Sequence, residues 1–233
     1  MQWQHRLAPA ALGLVLFLPA PLAGQGGTRI GSIDRFLMPR ADEIALARSA
    51  GPAAVAAGAA VLVLTPHGYE QAVSGSNGFT CFVGRGWSGP VVSIQNGTRV
   101  VSAGATDPKF LAPHCFNASA SETVVPWHQL MTTALIAGTP VEDLHQVTGE
   151  ALEAGQLKVP GPGAMAYMIS RGQYLGPRFG HWKPHIMMYT PYATNALMGA
   201  EGFSHDYPSV TGAGTPWAIT VIPIEKFSDG SAP

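Results

Sequence analysis

Charge is scarce in this chain, and so is cysteine. Only 12% of the 233 residues are charged, 13 Lys and Arg against 14 Asp and Glu, and there are two cysteines. Low charge beside 46% hydrophobic residues excludes a disordered, solvated chain, so the bulk of it should fold. A net charge of -1 without a basic stripe argues against a nucleic-acid binder. Beyond the first residues no apolar run reaches spanning length; residues 53–64 are Ala- and Gly-rich and too short. The common catalytic signatures are missing too. There is no Gly-x-Ser-x-Gly nucleophile elbow, no P-loop, no Cys-x-x-Cys and no haem-attachment motif.

What is present begins with a leader. His5 and Arg6 precede an apolar stretch over 7–18, and Pro19-Ala20-Pro21-Leu22-Ala23-Gly24 follows with small residues. That order predicts a secretory signal peptide over 1–23, cleaved after Ala20 or Ala23, and one mature domain over 24–233 in the periplasm or outside the cell. The apolar stretch is short of the roughly 20 residues of a spanning helix, and no Cys follows it, so no stable membrane anchor is expected. In an oxidising compartment Cys81 and Cys115 are expected to pair. Closing that loop would contribute about 3–4 kcal/mol in the chain-entropy model. A thiolate nucleophile or metal ligand is the alternative.

Helices are predicted over 41–50, with Asp42 and Glu43 in the first turn, over 121–137, with Pro126 near its start, and over 139–155. For the last, Thr139 reads as an N-cap, Pro140 as the first helical residue and Glu142 as the partner in a capping box, with Gly155 as the stop. Val61-Leu62-Val63-Leu64 reads as a buried strand. Residues 69–73 and 79–83 read as a hairpin around Ser74-Gly75-Ser76-Asn77-Gly78, with Phe79, Cys81 and Val83 on one face. Further strands are predicted over 164–170, 185–190 and 217–222. Strands flanking a helical pair, then more strands, predict an α+β single domain with a mainly antiparallel sheet and a few packed helices. Asn96-Gly97-Thr98 and Asn117-Ala118-Ser119 are glycosylation sequons.

The sharpest chemical pattern is Gly180-His181-Trp182-Lys183-Pro184-His185. Gly180 and Pro184 oppose a helix, but in an extended segment residues four apart also share a face. His181 and His185 could then line one pocket as neutral imidazole ligands or as a general acid and base, with Lys183 for an anionic group and Trp182 as a wall. Zinc normally takes three or four protein ligands; His205, Asp206, His114, Cys115 and His128 are candidates for the third. Met165, Met168, Met187 and Met188 flank the segment, and methionine with histidine can bind copper. Methionine also fills core gaps, and that reading outweighs copper. Arg85, entering a Gly-rich turn, is placed for an anion contact; a surface ion pair with Glu70 is the rival reading. His205-Asp206 lies in a loop that reads first as a polar surface.

Gly68-Tyr69-Glu70, Asn77-Gly78-Phe79 with Cys81 and Arg85, the 113–116 segment, Ala164-Met165 with Tyr167-Met168, and Gly180-His181-Trp182 with Pro184-His185 resemble a group of exported bacterial proteins without an assigned activity. The resemblance implies export and a single domain, and marks His181, His185, Arg85, Glu70 and the two cysteines. The functional expectation is an exported domain whose histidine-lined pocket binds a small-molecule ligand or a divalent metal such as zinc, with hydrolysis as its chemistry. The rival is a non-enzymatic binding or interaction protein with structural histidines.

Overall fold

Four consecutive apolar residues from Val61 leave that strand no polar face, so it needs cover on both sides. A computed structural model of the chain provides it. Residues 27–233 are described apart from 90, 91, 96, 97, 103, 203 and 205, without the side chains of 92–95 and 98–100. The leader over 1–23, Asn96-Gly97 of the first sequon and His205 lie outside the described residues.

Eight strands make one sheet: β1 (Ala60–Thr65), β2 (Gly68–Val73), β3 (Thr80–Gly84), β6 (Ala112–Phe116), β7 (Met165–Met168), β8 (His185–Tyr189), β9 (Ser209–Thr211) and β10 (Ile219–Pro223). Their spatial order is β2-β1-β3-β6-β7-β8-β10-β9, and every neighbouring pair is antiparallel except β1 with β3. Strands β4 (Val92–Gln95) and β5 (Thr98–Val101) pair with each other apart from it. Helix α1 (Arg40–Arg48), followed by the short α2 (Ala53–Ala56), covers one face, where Ala47 and Ala50 meet Val61, Cys81, Val83 and Cys115. Helix α3 (Ala118–Ile136) covers the other, over Leu62, Phe82, Phe116 and Tyr189, with α4 (Leu144–Glu153) packed beside it. The domain is α+β with a mainly antiparallel sheet, as element order predicts. Among the described residues no helix is long and apolar enough to cross a membrane.

The predicted hairpin between 69–73 and 79–83 does not form. Strand β2 instead doubles back on β1 through Pro66-His67, and β3 lies on the other side of β1, parallel to it. The Gly-rich run 74–78 is a crossover past the start of β1: Ser76 N–H donates to the Gly58 carbonyl at 2.7 Å. A Cβ on Gly75 would lie 2.3 Å from the Ala60 nitrogen, so only glycine lets the two backbones pass. Phe79, Cys81 and Val83 do share a face, and Cys81 is bonded to Cys115, its register partner on β6.

Two helix starts also differ from the sequence expectation. Helix α3 begins at Ala118, capped by Asn117, whose Oδ1 accepts from Ala120 N–H at 3.1 Å. Pro126 therefore falls inside the helix and not near its start. Before α4 a 3-10 turn spans Val141–Asp143, and Thr139 forms no cap. The Glu142 carboxylate is drawn away from a capping box because it accepts from Thr28 N–H at 3.0 Å and Thr28 Oγ1 at 2.6 Å, tying the N-terminal segment down.

Candidate functional site

The segment 180–185 does not run as one strand. Gly180 sits at φ 58°, and its carbonyl accepts from Leu175 N–H in a tight loop; extended pairing begins only at His185. His181 is consequently exposed, edge-on to Tyr174 with ring centres 5.6 Å apart. His185 is buried against Trp182, 4.5 Å between ring centres. The two are separated into surface and core. Gln173 holds the bend by donating from Nε2 to the Trp182 and Lys183 carbonyls. Lys183 points outward to Asp206, Nζ to Oδ1 2.6 Å, in an exposed ion pair.

Arg85 is fully buried, and its anion is the protein's own. Nη2 donates to Glu43 Oε1 at 2.9 Å, Nε to the Phe36 carbonyl at 3.0 Å and Nη1 to the Val83 carbonyl at 2.6 Å. Each guanidinium nitrogen is occupied by the chain itself, so Arg85 joins the N-terminal segment, α1 and β3. Glu43, read from the sequence as a first-turn helix carboxylate, is wholly buried and also accepts from Leu64 N–H at 3.2 Å. Burial raises its pKa, and the Arg85 charge opposes that shift. Glu70, the rival partner, is exposed and bonded to Thr65.

The core on the α3 side of the sheet holds three imidazoles. Strand alternation sends His114 of β6 and His185 of β8 to the face that carries Phe82, Phe116 and Tyr189. His128 comes down on them from α3, with ring centres 5.3 Å from Phe82, 5.6 Å from Phe116, 4.8 Å from Trp127 and 5.9 Å from His114. Both ring nitrogens of His128, and Nδ1 of His114, are buried with no hydrogen-bond partner. His185 Nδ1 lies 2.9 Å from the Lys183 carbonyl. A carbonyl only accepts, so Nδ1 carries the proton and Nε2 keeps a lone pair.

Burial lowers the pKa of His128 to about 3. It lowers that of His185 to about 4, against a smaller opposing effect of the Lys183 carbonyl. His114 is held well below the ordinary histidine range by burial first and by the neighbouring His128 and His185 second. All three are neutral at pH 7, the form in which imidazole is a ligand.

His114 and His128 stand among the sequence candidates for a third ligand, whereas their centrality comes from packing. Cys115, another candidate, points to the opposite face and is bonded to Cys81. Among the described residues no three of His, Cys, Asp or Glu are placed to hold a metal ion. Two surface hollows formed by the described residues lie elsewhere: one of about 420 Å³ beside Arg48, Ser49 and Asp229, another of about 840 Å³ lined by Met198, Glu201, Asp206 and Tyr207. No protein-family model matches this chain, and no match was found among curated proteins or solved structures.

Proposed function

We propose that this chain is an exported binding domain whose ligand is a transition-metal ion, taken up by the neutral imidazoles of His114 and His128. One observation carries the reading: His128 is buried with neither ring nitrogen partnered, beside a His114 that also keeps an orphan nitrogen. A buried polar group left unsatisfied costs about 1–3 kcal/mol, and folded proteins keep few of them without a use. Two imidazoles sharing a tetrahedral metal, with metal–nitrogen bonds of about 2.0–2.1 Å, hold their ring centres roughly 5 Å apart. His114 and His128 stand at 5.9 Å, so a small ring movement suffices. Export is supported by the leader in the sequence and by the Cys81–Cys115 bond. The buried position favours binding over the hydrolysis first considered, which needs a metal position open to substrate.

The test is elemental analysis of the purified protein, together with titration of zinc and copper. One equivalent should bind to the wild type and to His181→Ala, and be lost in His114→Phe/His128→Phe. Absence of uptake by the folded wild type refutes the reading. A second reading, an interaction protein, rests on exposed Tyr192, Leu197, Met198 and Tyr207. It predicts that Leu197→Ser/Tyr207→Ser loses a stoichiometric protein partner while metal uptake is unchanged.

A further inference from the structure

Arg48 closes α1, where a cation complements the helix dipole. Among the described residues its guanidinium forms no ion pair, and Nε is buried without a hydrogen-bond partner. The C-terminal segment brings a carboxylate alongside. Ser228 Oγ donates to the Ser49 carbonyl at 2.7 Å, and Ser228 N–H to the Ile169 carbonyl at 2.8 Å. That anchor joins the residue after Arg48 to the residue before Asp229. Both charged side chains consequently line the hollow of about 420 Å³ at α1 and α2.

The two charges share this hollow without pairing with each other. Asp229 is turned to its own loop: Oδ1 accepts from Ser231 N–H at 2.9 Å and from Ser231 Oγ at 2.6 Å. The hydroxyl's bond, then the amide's, hold the Asp229 carboxyl below the ordinary aspartate range, so it is ionised at neutral pH. Oδ2 lies outside these bonds. A cation and an anion on one wall, each with donor or acceptor capacity to spare, suit a ligand that carries both charges.

The rest of the wall narrows the class. Ala45, Ala53, Ala56 and Ala57 present methyl groups, and no aromatic ring lines the hollow, so a sugar or a nucleobase has nothing to stack on. The two serine hydroxyls there are engaged within the chain, Ser49 Oγ with the Leu46 carbonyl at 2.7 Å and Ser228 Oγ with the Ser49 carbonyl. A phosphate group would meet the charge of Asp229 as well as that of Arg48.

We propose that this hollow binds a free amino acid with an aliphatic side chain, its carboxylate on the Arg48 guanidinium, its ammonium on Asp229 and its hydrocarbon against the alanine methyls. Both polar contacts are charge-assisted hydrogen bonds, roughly twice as strong as neutral ones. The volume falls within the range of about 300–1,000 Å³ common to small-molecule sites. The sheet separates this site from His114 and His128: α1 covers the face of Cys81 and Cys115, and the imidazoles lie under α3. The proposal therefore stands or falls independently of metal uptake.

The experiment is calorimetric titration of the purified protein with glycine, L-alanine and L-leucine. L-leucine methyl ester, without a carboxylate, and N-acetyl-L-leucine, without an ammonium, are the chemical controls. The variants are Arg48→Gln and Asp229→Asn, the second of which keeps an Oδ1 acceptor for Ser231. Unchanged thermal midpoints establish that both are folded.

Wild type should bind L-leucine saturably, with a dissociation constant below about 1 mM, and more tightly than glycine. The ester and the N-acetyl derivative should each bind at least tenfold more weakly. Arg48→Gln should bind L-leucine at least tenfold more weakly and no longer prefer it to the ester by more than twofold. Asp229→Asn should lose the preference over the N-acetyl derivative in the same way. Backbone amide resonances of residues 53–57 and 228–230 should move during the titration. The proposal is overturned if wild type binds none of the amino acids up to about 10 mM, or if the ester and the N-acetyl derivative bind as tightly as L-leucine. Variants that keep wild-type affinity and preferences place the ligand elsewhere and overturn it equally.

Discussion

Acid should unfold this protein through its buried imidazoles. In the metal-free chain His128 and His185 titrate near 3 and 4, against about 6.5 when unfolded. The unfolded chain thus binds more protons below pH 6.5, and stability falls as pH falls through that range. At pH 5 each of the two has lost about 2 kcal/mol, together about 4 kcal/mol. His114, depressed by burial and by its two neighbours, adds to the loss in the same direction. Domain stabilities of about 5–15 kcal/mol make this a large fraction of the whole. Glu43, whose pKa burial raises, acts oppositely, so a variant is needed to isolate the imidazoles.

The assay is urea unfolding followed by tryptophan fluorescence in the presence of chelator, between pH 7.5 and 5. Wild-type stability should be level near pH 7.5 and decline steadily below 6.5. His128→Phe keeps an aromatic ring in an aromatic niche and removes both orphan nitrogens. It should match or exceed the wild type at pH 7.5 and lose about 2 kcal/mol less than it on going to pH 5. A wild-type stability that stays constant over this range, or an unaltered slope in His128→Phe, would refute the assignment of buried neutral imidazoles.

Removing one partner of the buried ion pair, by Arg85→Met, should cost about 3–5 kcal/mol, and Glu43→Leu/Arg85→Met should recover much of it; thermal denaturation of both variants checks this. Asn117→Ala loses the α3 cap, worth about 1 kcal/mol, as well as the Nδ2 bond to the Gly163 carbonyl, so its urea midpoint should drop by more than a simple cap loss. Gly75→Ala places a methyl group against the Ala60 backbone and should lower the thermal midpoint, whereas Gly161→Ala, with open space around it, should leave it nearly unchanged.

Local pattern made α1, β1, β7, β8 and β10 readable, because each announces itself within a few neighbours: a helical run with carboxylates in its first turn, or an unbroken apolar stretch. The β2–β3 connection was not readable from local pattern, since Gly75 serves a crossover as well as it serves a turn. Only the distant pairing of β3 with β1 decides between them. Asn117 spoke as a sequon and acts as a cap. Arg85 found its partner in Glu43, 42 residues upstream, while the nearer Glu70 faces solvent. The spacing of His181 and His185 was informative only if both sat in one strand, and the strand starts at the second of them. His114 and His128 were visible as histidines, but a helix and a strand had to pack face to face before they became neighbours.

Asn117 also bears on how the protein can be produced. Its amide is spent inward: Oδ1 accepts from Ala120 and Met165, and Nδ2 donates to Gly163. A eukaryotic secretory host attaches glycans while chains are still entering the lumen, before such an amide has found its partners. A sugar on that nitrogen would prevent the Gly163 bond and wedge α3 away from the strand that follows, so oligosaccharyl transfer and folding compete for the same atom. Bacterial export avoids the contest. In yeast or mammalian cells Ser119→Ala would erase the acceptor signal and leave the amide to the fold.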